Sequence, residues 1–389
     1  MDPLLYSMWP GETYIGAGAA AQVAEQVRRH GGSRVFVVTD QGVRRAGLLD
    51  GILSALDRAG LAWAAFDQVE PNPTDRLVDL AEQRFKESGA DALVAVGGGS
   101  SIDTAKAVQV VATGGGDILD YDLGLGEKAR PTPNGMPPLI AIPTTAGTGS
   151  EVTAWAVITD TRRNFKTSVG DSRLIPKVAL IDPSLMLTMP PSLTAAAGLD
   201  ALSHCLESFV STIHHPLGDA IAYHGITLIG ESLRRAVANG NDMDGRTKMA
   251  TAAMIGGMSL NLKWGGACHS LAHQLSTQAG LAHGVAIALM LPHQMEYSLP
   301  GALEKYARVA EALGEPPSAA PLEDRARAAV RAVRKLIADI GLPTRLRDVG
   351  VAAEAIPEMA RKAFADDSHA TNPVKCTVDA LAELYRRAY

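Results

Sequence analysis

The sequence predicts a doubly wound parallel α/β domain over residues 1–187, followed by an all-helical domain over 188–389. Short apolar runs rich in β-branched residues alternate with helical stretches through the first half. Each of three such runs ends in glycine, serine, threonine or aspartate, where ligands gather at the carboxyl ends of a parallel sheet. Beyond Pro190 and Pro191 the strand-like Val and Ile runs disappear, and Ala, Leu, Met and His recur at helical spacing.

Taken in order, "RVFVVTD" (34–40) reads as a buried strand closed by Asp40. "TDRLVDLAEQRFKESG" (74–89) opens with a Thr cap and an acidic first turn and closes on Gly89, so it reads as a helix. "ALVAV" (92–96) is a second strand; "GGGSS" and a helical run with Asp103 in its first turn follow it. "PLIAIPTT" (138–145) is a third, leading into "AGTGSEVT". In the second domain, "LGEPPSAAPLED" (313–324) reads as a loop between helices, because its prolines interrupt helix.

The chain has 389 residues, 47% hydrophobic and 20% charged, enough for two substantial cores. A formal charge of -6 with interspersed signs offers no basic stripe for nucleic acid and no polybasic patch for a membrane. Small soluble ligands are therefore the expected partners. No charged-then-apolar leader or membrane-length apolar run is present, and three cysteines without CxxC spacing suit a reducing compartment, so a cytoplasmic location is expected.

Two stretches carry chemistry. Glycines before a helix allow close backbone approach, and the helix start offers N–H groups and positive dipole, so "GGGSS" reads as a pyrophosphate cradle or as a tight turn without ligand. Asp40 at the neighbouring strand end is either a helix cap or an acceptor for the adenosine ribose that repels a 2′-phosphate, the second favouring NAD over NADP. In the helical domain, Asp200 and His204 stand four apart, as do His269 and His273, and His283 follows Gly280. Asp200, His204, His269 and His283 supply one oxygen and three nitrogens, a set suited to Fe(II) or Zn(II). His273 then stands near the metal as a proton relay. Cys268 reads as a small buried thiol. A divalent metal that polarises an alcohol, together with a nicotinamide that accepts hydride, amounts to alcohol dehydrogenase chemistry.

With "GETYIGAGA", "GADALVAVGGGSSIDTAKA", "LIAIPTTAGTGSEVT", "TMPPSLTAAAGLDALSHCLESFVS" and "HSLAHQLSTQAGLAHGVAIALMLPH" in the same order, the chain resembles the iron-containing (group III) alcohol dehydrogenases, most of all their lactaldehyde reductase branch. The resemblance implies a Rossmann-like domain plus a helical domain in the dehydroquinate synthase-like arrangement, and a homodimer or larger homo-oligomer. It implies the same four metal ligands, Fe(II) before Zn(II), and His273 beside the substrate. For NAD it implies Asp40, Asn72, Gly98, Gly99, Ser100, Asp103, Thr144, Thr145, Thr153, Lys166 and Leu193.

Departures from the family pattern cluster where substrate is expected: Leu260, Lys263 and Trp264 in "LNLKWGGAC", Trp155, and Ser368 and His369 in "DDSHATNP". The expected substrate is a small primary alcohol, diol or matching aldehyde. Lys263 and His369 are either solvated or positioned to hold an anionic aldehyde (carboxylate, phosphonate or sulfonate). The rival readings are a dehydroquinate synthase-type lyase and a metal-bound nucleotide-sensing module without turnover; "PTTAGTGSE" and the HxxxH spacing argue against the lyase.

Overall fold

The computed structural model describes residues 9–389; positions 1–8 of the expected first domain lie outside the described residues. The chain divides into two compact units. One holds residues 9–145 with Gly149–Thr188; the other holds Ala146–Thr148 and Met189–Tyr389.

The first unit is built on strands β1 (Glu12–Ile15), β2 (Arg34–Val38), β3 (Ala62–Phe66), β4 (Ala92–Gly97), β5 (Leu139–Pro143), β6 (Trp155–Asp160), β7 (Phe165–Gly170) and β8 (Val178–Ile181). Six form a parallel sheet in the order β1-β8-β5-β4-β2-β3, and β6 and β7 form a separate antiparallel hairpin. Its helices are α1 (Val23–Arg29), α2 (Gln41–Arg45), α3 (Asp50–Arg58), α4 (Asp75–Ser88) and α5 (Gly99–Gly114). The continuous apolar runs are explained by two-sided burial: Val35, Val37, Val94, Val96, Ile140 and Ile142 enter one core, while Phe36, Val38, Leu93, Ala95, Leu139 and Ala141 enter the other. As the sequence predicts, Thr74 caps α4, its hydroxyl accepting from Leu77 N at 3.1 Å, and Gly89 ends it in a left-handed conformation.

The second unit contains α6 (Pro191–Val210), α7 (Pro216–Ala238), α8 (Met243–Lys263), α9 (Ala267–Ala279), α10 (His283–Ser298), α11 (Leu303–Ala312), α12 (Leu322–Asp339), α13 (Ile356–Ala365) and α14 (Val378–Ala388). α6 is buried along nearly its whole length, including its polar residues Asp200, His204 and Glu207. Two boundaries differ from the sequence reading. α12 begins at Leu322, so the last three residues of the expected loop form its acidic first turn. α5 begins inside the glycine run at Gly99, which places Asp103 one turn in rather than in the first turn.

Replacing Thr74 by Ala removes an acceptor for an otherwise orphaned amide, and should cost about 1 kcal/mol of stability in urea titration; a change below about 0.3 kcal/mol would show that tertiary packing alone sets this helix start.

Candidate functional site

Asp200, His204 and Glu207 recur at i, i+4 and i+7 on α6, which puts all three on one face. α9 contributes His269 and His273, and α10 opens with His283. The imidazole Nε2 atoms converge on one carboxylate oxygen: Asp200 Oδ1 lies 3.6 Å from His204, 3.7 Å from His269 and 3.3 Å from His283. The two longer separations exceed hydrogen-bond range, but all suit donors that each sit about 2.0–2.2 Å from a shared ion. Asp200 Oδ1 and His269 Nε2 are buried without a hydrogen-bond partner in the protein, a costly arrangement that a cation relieves. Asp200, His269 and His283 form the tightest group, their ligand atoms all within 4.8 Å of one another. His204 joins through Asp200 and by stacking on His269, ring centroids 4.6 Å apart.

The electrostatics fit a site that demands positive charge. Burial would raise Asp200, but His204 and His283 reverse the direction and hold it well below the usual carboxylate range. Burial opposes charge on His269, yet Glu207 and Asp200 outweigh it and push the imidazole up to about 10. Burial dominates at His204 and lowers it.

Behind the histidines stand two carboxylates that sequence reasoning missed. Glu207 takes His269 Nδ1–H and also accepts from Cys268 N at 2.7 Å, so His269 is turned with Nε2 toward Asp200. Asp366 accepts from His273 Nδ1 at 2.7 Å and is itself fixed by Ser368 N at 3.0 Å. The His273 ring sits 5.4 Å from that of His283 and 6.0 Å from that of His269, beside the cluster rather than within it. Glu207 had a legible signal, its place on the Asp200 face of α6. Asp366 had none, because 93 residues separate it from His273.

In the α/β unit, three adjacent strands end in candidate cofactor residues: β2 in Asp40, β4 in Gly97 and Gly98, and β5 in Thr144 and Thr145. Gly97 has φ of 156°, and a Cβ there would stand 2.4 Å from Ser101 Oγ, so only glycine fits. No side chain caps α5, which leaves the first-turn amides around Gly99 and Ser100 to a ligand. Asp40 caps α2 through Val43 N at 2.9 Å, while its other oxygen lies toward Gly97. Asn72 adopts φ of 57° and its carbonyl accepts from Thr159 at 3.3 Å. Thr153 receives Lys106, and Lys166 lies on β7 within electrostatic reach of Asp103. Leu193 is exposed in the first turn of α6, in the helical unit.

Residues 10–183 match the family model for iron-containing alcohol dehydrogenase, and residues 194–389 match that for the Fe-containing alcohol dehydrogenase C-terminal domain. The chain belongs to the iron-containing alcohol dehydrogenase family. It is 40% identical to a choline dehydrogenase of Bacillus subtilis, over 96% of this chain and 92% of that one. It is 39% identical to a lactaldehyde reductase of Escherichia coli over 97% of each. A solved 1,3-propanediol oxidoreductase superposes with a TM-score of 0.94 at 38% identity, covering both chains completely. This alcohol dehydrogenase is thus an oxidoreductase acting on CH–OH groups, with the two-part fold expected from its sequence.

Among the substrate-pocket residues, the structure overturns one role. Lys263 is fully buried, its ammonium paired with Asp219 and its carbonyl accepting from Ser211 at 2.8 Å, so it is neither solvated nor offered to an anion. His369 is half-buried; it donates Nε2–H to Phe364 O at 3.0 Å and stacks on that ring at 5.2 Å. Leu260 and Ser368 both flank Gly265: a side-chain carbon of each lies 4.0 Å from where a Cβ on that glycine would stand, as does His269 Nδ1. Trp155 belongs to the α/β unit, its ring packed over Gly170. Asp103 is also spent within the protein, since its oxygens accept from Ser150 Oγ and from Val157 N at 3.1 Å.

Glu207→Ala should lower metal affinity about 10- to 100-fold, as expected for a group that orients a ligand, measured by metal content after dialysis against a graded chelator; unchanged retention would remove Glu207 from the site.

Proposed function

We propose that this enzyme is an NAD-dependent, metal-dependent alcohol dehydrogenase or aldehyde reductase for a small neutral primary alcohol, diol or matching aldehyde. The observation that carries the reading is the convergence of three imidazole nitrogens on the buried, orphaned Asp200 Oδ1. Asp200, His204, His269 and His283 would hold a divalent ion, Fe(II) first and Zn(II) second, since a mixed nitrogen and carboxylate set suits both. When bound, the metal supplies a Lewis acid that eases loss of the hydroxyl proton, and the nicotinamide supplies the hydride acceptor.

The chain's own groups do the rest. Glu207 fixes the tautomer of His269, and Asp366 fixes that of His273 with its basic Nε2 turned away from the carboxylate. His273 is thereby suited to carry the substrate proton. The half-buried pair Leu260 and Ser368 borders His269 and gives the substrate a largely apolar wall. With Lys263 buried and paired with Asp219, the one lysine among the named pocket residues is not offered to an anionic aldehyde. Asp40 beside the glycine turn favours NAD over NADP.

A homodimer or larger homo-oligomer fits the edge strand β1, which pairs only with β8 among the described residues and leaves Ile15 41% exposed. A cytoplasmic location fits three buried free thiols; among the described residues no helix is long and apolar enough to cross a membrane.

Asp200→Asn and His269→Ala should each lose bound metal and turnover together, read by metal analysis and NADH oxidation; a variant keeping both would overturn the ligand assignment. Asp40→Gly should raise the kcat/KM ratio of NADP to NAD at least about tenfold by removing a repulsive carboxylate. With NADH and protein reconstituted separately with Fe(II) and Zn(II), neutral aldehydes should be reduced faster than carboxylated or sulfonated ones of equal length.

A further inference from the structure

Lys106 is the one lysine of the α/β unit with no exposed surface, two turns into the helix that follows the glycine run. Taking an ammonium out of water costs several kcal/mol unless its hydrogens are all received. Here its three hydrogens are shared among four acceptors on a single short stretch of chain: Nζ lies 3.1 Å from Ser150 Oγ, 2.9 Å from Thr153 O, 3.0 Å from Thr153 Oγ1 and 2.7 Å from Trp155 O. That stretch has neither helical nor strand bonding up to Trp155, so it lacks a ladder of its own to hold it. Asp103, one turn earlier on α5, grips the same stretch through Ser150 Oγ and Val157 N. Together the two charges bind the segment entering β6 to the helix whose start forms the candidate phosphate cradle.

The direction of these bonds matters as much as their number. An ammonium only donates, so the Thr153 hydroxyl must accept from it and is left to direct its own hydrogen elsewhere. Within the protein it reaches Ser150 O at 3.5 Å, the limit of a hydrogen bond. An apolar side chain of similar length would fill the same volume without the cost of burying charge, but would leave the Thr153 and Trp155 carbonyls without this donor. We propose that Lys106 is a positioning residue for the dinucleotide, its buried ammonium fixing residues 150–155 so that the Thr153 hydroxyl is presented as a donor to the bound cofactor. This deepens, and rests on, the reading of the α/β unit as the NAD site.

The test measures NADH binding by fluorescence on metal-loaded wild type, Lys106→Met and Lys106→Gln, alongside metal content, thermal midpoint and full kinetics. Lys106→Met should weaken NADH binding at least about tenfold and raise the cofactor KM in step, with kcat at saturating cofactor within about threefold and metal content unchanged. Lys106→Gln, which retains a donor, should recover part of the affinity. A folded Lys106→Met that binds NADH like wild type overturns the proposal, as does a loss confined to kcat. Should Lys106→Met not fold, Ser150→Ala removes one partner of each charge with little change in volume; it should weaken NADH binding about threefold, and unchanged binding would overturn the proposal. Wild type that binds no NADH would overturn the NAD reading itself, whereas binding by wild type with indifferent variants overturns only the role of Lys106.

Discussion

Asp200 is a carboxylate in the middle of a helical bundle, and much of the second unit can be understood from what it needs. Its buried Oδ1 has no hydrogen-bond donor in the protein, and three imidazole nitrogens surround it at 3.3–3.7 Å. A buried charge so placed must be neutralised by a cation or by taking a proton. The imidazoles hold it below the usual carboxylate range despite burial, so the site keeps its negative charge and offers it to an ion.

That demand propagates through packing. α6 bears Asp200, His204 and Glu207 on one face, and the chain entering α9 must pass close to the last of these. Gly266 permits it: a Cβ there would stand 2.5 Å from a Glu207 carboxylate oxygen. The same carboxylate then reaches both Cys268 N and His269, tying the start of α9 to the face of α6. Asp366 repeats the device for His273 from the segment after α13. His269 and His273 are thus each aimed by a carboxylate held in turn by a backbone amide, which fixes tautomer and orientation before any ligand arrives.

The candidate phosphate cradle of the α/β unit is made of backbone rather than of side-chain charge. Its candidate binding groups sit at the ends of three adjacent strands because a parallel sheet directs all its carboxyl ends to one edge. The half-buried Asp103 and the buried Lys106 there bind protein to protein. The contrast with the helical unit is chemical: a phosphate is held by amides and helix dipole, which need close backbone approach, whereas a metal needs side chains that offer lone pairs.

Local patterns therefore carried far. Strand runs, the Thr74 cap and the Gly89 stop, and the i, i+4 pairs Asp200–His204 and His269–His273 are all written in nearest-neighbour terms, which a linear chain displays. What the sequence could not display were contacts whose partners lie far apart along it. Asp366 reaches His273 across 93 residues. Lys263 looked free to meet an anion or water, yet it is buried against Asp219, 44 residues away. Asp103 accepts from Ser150 and Val157, 47 and 54 residues further on. By itself the sequence determined which residue types and helical faces supply the chemistry; only the tertiary structure decided which charges are already spent, because pairing between distant elements follows from packing and burial rather than from spacing.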